Sequence, residues 1–115
     1  MVDVYGIKNC STVKKALNWL DENQIEYVFH DYKKEGVSAE KIKDWQHEFG
    51  WESLINKRGT TWKKLDKQLQ ESITDGNSAI PVMQENTSVI KRPIIEGNNI
   101  HLLGFDVQEY TTKLK

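Results

Sequence analysis

The chain has a single cysteine, only two prolines, and only two arginines among its 115 residues. One cysteine cannot form an intrachain disulfide, and three histidines without a cysteine cluster do not suit a structural zinc site. No apolar run approaches the roughly 20 residues that span a bilayer. Residues 1–4 enter a strand-like pattern with no basic, apolar leader. The sequence therefore predicts a protein of the cytoplasm, with no metal site and no membrane segment.

An excess of charge of one sign is also absent. The 16 basic and 17 acidic residues give a net charge of −1, so the sequence predicts no binding to nucleic acid. Arg58 and Arg92 are the only arginines, and all the other basic residues are lysines. Because the planar guanidinium fork suits oxyanions and carboxylates, both arginines are candidates for an anion site. The alternative for each is an ordinary surface salt bridge.

The N-terminal part has the pattern of a β-α-β unit. Residues 2–5 alternate like a short strand that Gly6 ends, and a helical period begins at Ser11. Asn23 suits the left-handed end of that helix, and residues 25–32 are typical of a second strand. The length of about 32 residues agrees with a β-α-β unit whose strands are parallel.

The rest of the chain predicts a helical insert over about 36–76, followed by α-β-β-α. The expected elements are a helix from Ser38 to Gly50, one helix over 62–73, a helix capped by Ser78 with Pro81 in its first turn, strands at 88–90, 94–95 and 100–103, a turn at 96–99, and a last helix capped at Asp106. The whole order predicts one domain over 1–115, of the α/β or the α+β class, with a parallel β-α-β half and an antiparallel hairpin half. A thioredoxin-like α/β fold with a mixed four-stranded sheet has this order, and it is the fold that we expect.

Cys10 follows the first predicted strand and precedes the first predicted helix. It lies in a polar loop, and the free amides and dipole of a helix start lower the pKa of a thiol. The alternative is a buried cysteine that only packs. Position 13 holds valine, so there is no Cys-x-x-Cys pair. A covalent adduct on Cys10 therefore needs a thiol from another molecule to resolve it, and glutathione is the economical choice.

Three separated motifs resemble the ArsC/Spx/YffB family, and the resemblance runs the full length of the chain. They are Tyr5-Gly6-Ile7-Lys8-Asn9-Cys10, Lys57-Arg58-Gly59-Thr60-Thr61-Trp62 and Lys91-Arg92-Pro93. The YffB-type members, described as glutathione-dependent thiol reductases, are the most similar. The resemblance implies a thioredoxin-like fold with an extra helical part, Cys10 as nucleophile and Pro93 as a cis-proline beside the active site. The residues expected to bind the substrate anion or thiol are Lys8, Asn9, Ser11, Thr12, Arg58, Arg92 and Pro93.

One departure from the family pattern affects the expected substrate. Arsenate reductases of this type carry a further arginine in a basic stretch, where residues 100–105 here read Ile-His-Leu-Leu-Gly-Phe. We therefore expect a monothiol reductase, a monomer without a bound cofactor, that acts on a small oxidised thiol or an oxyanion. Glutathione or a glutaredoxin-like thiol partner would complete its cycle.

Three alternatives remain open from the sequence. The first is an arsenate reductase proper. The second is a Spx-like regulator that binds RNA polymerase, although the redox form of that regulator uses the Cys-x-x-Cys pair that Val13 removes. The third is a structural domain in which Cys10 is inert.

Overall fold

A four-stranded mixed sheet organises the first of two compact units. The computed structural model describes all 115 residues, Met1–Lys115. The first unit comprises residues 1–35 and 92–115, and the second comprises residues 36–91. The strands are β1 (Val2–Gly6), β2 (Tyr27–Asp31), β3 (Ile94–Gly97) and β4 (Ile100–Leu103), in the spatial order β2-β1-β3-β4. The pair β1–β2 is parallel, whereas β1–β3 and β3–β4 are antiparallel. The predicted parallel half and hairpin half are thus confirmed, and the prediction of one domain stays a prediction.

Helix α1 (Ser11–Glu22) packs on one face of this sheet together with the last helix, α8 (Val107–Leu114). Strand β1 contributes alternate residues to this core, and α1 contributes residues four positions apart. The buried cluster consists of Val2, Val4, Ala16, Leu20, Ile95, Leu102 and Tyr110. This packing fixes the start of α1 at the edge of the sheet where β1 and β2 end.

Two chain reversals in the first unit depend on residues with positive φ. Asn98 and Asn99, with φ of 31° and 68°, form the two-residue link between β3 and β4. The left-handed residue after α1 is Gln24, with φ of 58°, and the prediction of Asn23 was wrong. Asn23 has φ of −97° because its backbone N–H and its side-chain amide both still bond to the carbonyl of Trp19.

The second unit is helical. Its helices are α3 (Ala39–Phe49), α4 (Trp51–Leu54), α5 (Thr60–Lys64), α6 (Lys67–Ser72) and α7 (Gly76–Glu85). As predicted, the Ser38 side chain caps α3, and Gly50 follows it with φ of 83°. Between β2 and this unit lies a single turn of helix, α2 (Tyr32–Glu35), so β2 is shorter than the predicted strand over 25–32. None of the helices is long and apolar enough to cross a membrane.

The single helix predicted over 62–73 is wrong, because the structure divides it into α5 and α6. Leu65 and Asp66 have extended backbone, with ψ of 144° and 135°. The Asp66 carboxylate accepts a hydrogen bond from the Gln68 backbone N–H at 3.0 Å. The aspartate caps the start of a second helix, although the regular spacing of apolar residues continues through this point.

Two further predictions in this unit were wrong. Helix α7 is capped by Asp75, whose carboxylate accepts from the Ser78 N–H at 2.8 Å, so Ser78 is the third residue of the helix and Pro81 lies beyond the first turn. Residues 88–90 do not form a strand. Thr87–Val89 is one turn of 3-10 helix, and Ile90 makes an isolated bridge with Ile55.

Candidate functional site

Cys10 occupies the N-cap position of α1. Its backbone is extended, with φ of −120° and ψ of 126°, and its carbonyl accepts the first helical hydrogen bond from Lys14 N–H at 3.0 Å. The side chain is half-buried and makes no capping hydrogen bond to α1, although the nearby backbone N–H groups of Val13 and Thr12 act on its sulfur. The thiol therefore lies at the start of α1 without capping it as a serine or aspartate oxygen would.

The pKa of the Cys10 thiol is lower than that of free cysteine. Burial alone raises the pKa, but the two backbone N–H groups of Val13 and Thr12 and the Arg92 guanidinium together outweigh it. Arg92 contributes both a hydrogen bond to the sulfur and its positive charge. A larger fraction of Cys10 is therefore thiolate, the nucleophilic form, than of free cysteine at the same pH.

Arg92 reaches Cys10 because of the way that β3 enters the sheet. Ile94 pairs with Tyr5 in antiparallel register, so the residues just before β3 lie beside the loop that follows β1. The peptide bond between Arg92 and Pro93 is cis, which confirms the expectation from the family resemblance. Pro93 is buried, and its carbonyl accepts a hydrogen bond from Gly104 N–H at 2.8 Å.

The other predicted site residues differ in the unit to which they belong. Lys8 and Asn9 are exposed in the turn between β1 and α1, and Ser11 is exposed at the first position of the helix. Arg58 belongs to the second unit, where it is exposed in a turn before α5. The structure thus brings Arg92 to Cys10, whereas the part assigned to Arg58 stays a prediction.

Val13 is the residue at which a dithiol protein would carry its second cysteine. It is fully buried in the first unit. Gly6 leaves room for it, since a Cβ atom at position 6 would lie 2.9 Å from a Val13 methyl group. Position 13 therefore has a packing role, and only its backbone N–H contributes to Cys10.

Comparison with known protein families covers the part of the chain that contains Cys10 and Arg92. A model of the ArsC family matches residues 5–112. This chain belongs to the ArsC family. An uncharacterised relative of this ArsC-family chain in Haemophilus influenzae is 47% identical over 110 residues, which is 96% of each protein. The global transcriptional regulator Spx of Listeria innocua is 28% identical over 111 residues, covering 95% of this chain and 83% of that protein.

Solved structures of similar ArsC-family proteins establish the fold. The YFFB protein is 41% identical, with a TM-score of 0.94 and 100% of both chains covered. An arsenate reductase related protein from Brucella melitensis is also 41% identical, with a TM-score of 0.75 and 99% and 94% of the two chains covered. These similarities and the order of the sheet confirm the predicted thioredoxin-like α/β fold.

The first unit of the ArsC-family chain also contains a charged cluster that the sequence did not reveal. His30 Nε2 lies 2.9 Å from an Asp3 carboxylate oxygen, and His30 Nδ1 lies 3.2 Å from a Glu35 carboxylate oxygen. The ring of Tyr5 stacks on the imidazole, with 4.6 Å between centroids. Two carboxylate acceptors require a proton on both ring nitrogens, so this geometry fits the imidazolium form. No group of three or more His, Cys, Asp or Glu side chains is placed to hold a metal ion.

We expect this cluster to make stability depend on pH near neutrality. Burial lowers the pKa of His30, but hydrogen bonds and charges from Asp3 and Glu35 outweigh it and raise the pKa above its ordinary value. A raised folded-state pKa gives stability that is complete below about pH 6.5 and is lost as the pH rises through the folded-state pKa. Urea unfolding from pH 5 to pH 9 should show this fall in the wild type, but not in His30→Gln. His47→Gln changes an exposed histidine of α3, and should keep the wild-type slope.

Proposed function

We propose that this chain is a monothiol reductase that uses the Cys10 thiolate on a mixed disulfide or another small oxidised substrate. The observation that carries the proposal is the position of Cys10 at the start of α1 beside Arg92, where the backbone N–H groups of Val13 and Thr12 and the Arg92 guanidinium lower the pKa of the thiol. A cysteine that only packed would not need these groups around its sulfur. The similarity to the arsenate reductase related protein of Brucella melitensis supports the same class of activity.

The cycle needs one external thiol besides Cys10. In the first step the Cys10 thiolate attacks a glutathione mixed disulfide, forms a Cys10–glutathione disulfide and releases the other sulfur as a thiolate, which takes up a proton. In the second step the thiolate of a free glutathione attacks the glutathione sulfur of that adduct. Oxidised glutathione leaves, and Cys10 returns as a thiolate. The net reaction converts the mixed disulfide and one free glutathione into the reduced thiol and oxidised glutathione, so no bound cofactor is required.

The remaining residues have supporting parts in this proposal. The N–H groups of Val13 and Thr12 and the Arg92 guanidinium stabilise negative charge on sulfur. The part that the family resemblance assigns to Arg58, a second cation for the substrate anion, stays a prediction. Pro93 lies beside Arg92, and the exposed side chains of Lys8, Asn9 and Ser11 and the half-buried side chain of Thr12 contact the bound thiol. We propose that the protein is a monomer of the cytoplasm, where glutathione keeps thiols reduced. A glutaredoxin-like protein is the alternative thiol donor.

Alkylation kinetics test this proposal directly, because iodoacetamide reacts with the thiolate of the only cysteine. The rate plotted against pH should have a midpoint clearly below that of free cysteine, which is about 8.5. Incubation with oxidised glutathione should add one glutathione by mass, and the adduct should disappear on addition of reduced glutathione. A midpoint at the value of free cysteine, together with slow labelling and no adduct, would contradict the proposal.

A regulator is the second candidate, and the similarity to Spx over 95% of the chain favours it. In this alternative the chain binds RNA polymerase, and it should co-purify with the polymerase α subunit from cell extract. Oxidation should not switch that binding through a Cys10 disulfide within the chain, since the chain has only one cysteine. Arsenate reduction itself is tested by adding arsenate and glutathione. We expect little turnover, because residues 100–105 carry no arginine.

A further inference from the structure

Strand β2 lies at one edge of the sheet, with β1 as its only strand partner. The Glu26 carbonyl accepts a hydrogen bond from β1 at 3.1 Å, so Glu26 and every second residue after it direct their backbone groups toward β1. The N–H and C=O groups of Tyr27 and Phe29 therefore point away from the sheet, and they have no hydrogen-bond partner in the protein. The next outward N–H, that of Asp31, donates to a Glu35 carboxylate oxygen at 3.3 Å. An open row of backbone groups of this kind can pair with a further strand.

The side chains along this open edge carry negative charge on both sides of one apolar residue. On the face of the sheet opposite α1 and α8, alternation places Glu26, Val28 and His30 in one row. Val28 is 42% exposed, and Glu26 is exposed as well. The His30 imidazolium lies between the carboxylates of Asp3 and Glu35, so that cluster keeps one net negative charge. The row is therefore acidic, apolar and again acidic along the strand.

A groove of about 560 Å³ lies at the start of β2. It is lined by Met1, Asp21, Gln24, Ile25, Glu26 and Tyr27. Its lining thus combines apolar side chains with two carboxylates. A lysine or arginine side chain has an apolar stem and a cationic end, so it matches both parts of this lining. The segment 21–31 itself has four acidic residues and no lysine or arginine, which favours a basic partner.

A second copy of this chain is a poor partner for the same edge. Antiparallel pairing of β2 with itself about Val28 would place Glu26 of each copy opposite the His30 cluster of the other. Both groups carry net negative charge, and like charges directly opposite each other destabilise a strand pair. The charges therefore disfavour self-pairing, in agreement with the proposed monomer.

We propose that the open edge of β2 binds an extended, basic segment of another protein. An apolar residue of that segment lies opposite Val28. A lysine or arginine two positions away on either side of it lies opposite Glu26 or the His30 cluster. Backbone hydrogen bonds to Tyr27 and Phe29 hold the segment as an added strand, and the two cations select its sequence. This binding does not involve Cys10, so it goes beyond the proposed function and does not depend on it.

The test is an NMR titration of the nitrogen-15-labelled protein with the end-blocked peptide Thr-Lys-Thr-Val-Thr-Lys-Thr. We expect the largest shift changes at residues 26–31, and slower amide hydrogen exchange at Tyr27 and Phe29. The same peptide with glutamate in place of both lysines should bind at least about tenfold more weakly. Glu26→Lys should weaken binding of the lysine peptide about fivefold. Glu40→Lys makes the same change at an exposed position of α3 and should leave binding at the wild-type value.

Three results of the titration would overturn the inference: equal binding of the two peptides, shift changes centred away from β2, or no binding of the lysine peptide at millimolar concentration. Sedimentation of the free protein as a dimer, with slow exchange at Tyr27 and Phe29 before any peptide is added, would also overturn it. A second copy would then already occupy the edge. The alkylation test of Cys10 uses no peptide, so the proposed function and this inference fail separately.

Discussion

Replacement of Cys10 by serine is expected to abolish reduction of glutathione mixed disulfides, with a loss of at least about 10³-fold in kcat. A serine hydroxyl is not ionised near neutral pH, and an alkoxide does not take part in thiol–disulfide exchange. The fold should survive, because serine is a preferred N-cap residue and its hydroxyl oxygen can accept hydrogen bonds from the backbone N–H groups at the start of α1. The assay is turnover of a glutathione mixed disulfide, with thermal unfolding measured on the same samples.

Cys10→Ala separates the chemical part of Cys10 from its capping part. Both variants should be inactive, but the alanine variant should be less stable than the serine variant by about 1 kcal/mol, because it offers no acceptor to the start of α1. Measurable turnover in either variant would remove Cys10 from the mechanism. Equal stability of the two would show that position 10 does not act as a cap.

Removal of the Arg92 fork is expected to have the second-largest effect. Arg92→Gln should lower kcat/KM by about 10²-fold, as the loss of one stabilising donor does in other enzymes. Arg92→Lys keeps the charge and loses the planar fork, so its activity should lie between that of Arg92→Gln and that of the wild type. The alkylation profile of Cys10 should move to higher pH in the same order, since Arg92 both bonds to the sulfur and carries a positive charge.

Lys15→Gln removes one positive charge from an exposed position of α1, and it should leave both activity and the alkylation profile at wild-type values. This control separates a local effect of Arg92 from a change in net charge. Full activity in Arg92→Lys would mean that the charge alone suffices and that the fork has no part.

The sequence predicted those elements that a regular period and a clear terminator define. The helix at Ser11 has its buried residues three or four positions apart, and Ser38 and Gly50 bound their helix as expected. Prediction failed where side-chain acceptors compete for the same helix start. Asp66 begins a new helix within an unbroken apolar period, and Asp75 rather than Ser78 caps α7. Which acceptor caps a helix depends on backbone angles that the amino-acid pattern does not contain.

The residues of the candidate site also differ in whether the sequence alone could predict them. Cys10 could be predicted, because a cysteine between a strand and a helix in a polar loop lies at a helix start. Arg92 was implied by the family resemblance, and its contact with the sulfur depends on the register of β3 against β1. The His30 cluster could not be predicted, because strand pairing joins residues that are far apart in the chain. His30 and Asp3 are 27 positions apart, for example.

The buried Val13 side chain affects the kinetic order of the proposed reaction. A protein with two thiols resolves its mixed disulfide by an internal step, whose rate does not depend on the concentration of external thiol. Here the regenerating thiol has to arrive by diffusion, because the chain has one cysteine and valine fills position 13. Turnover should therefore rise in proportion to the external thiol concentration until the first step becomes limiting. When the pool of external thiol is oxidised, the protein accumulates as its Cys10 mixed disulfide. Its turnover rate therefore follows the redox state of that pool without any separate sensor.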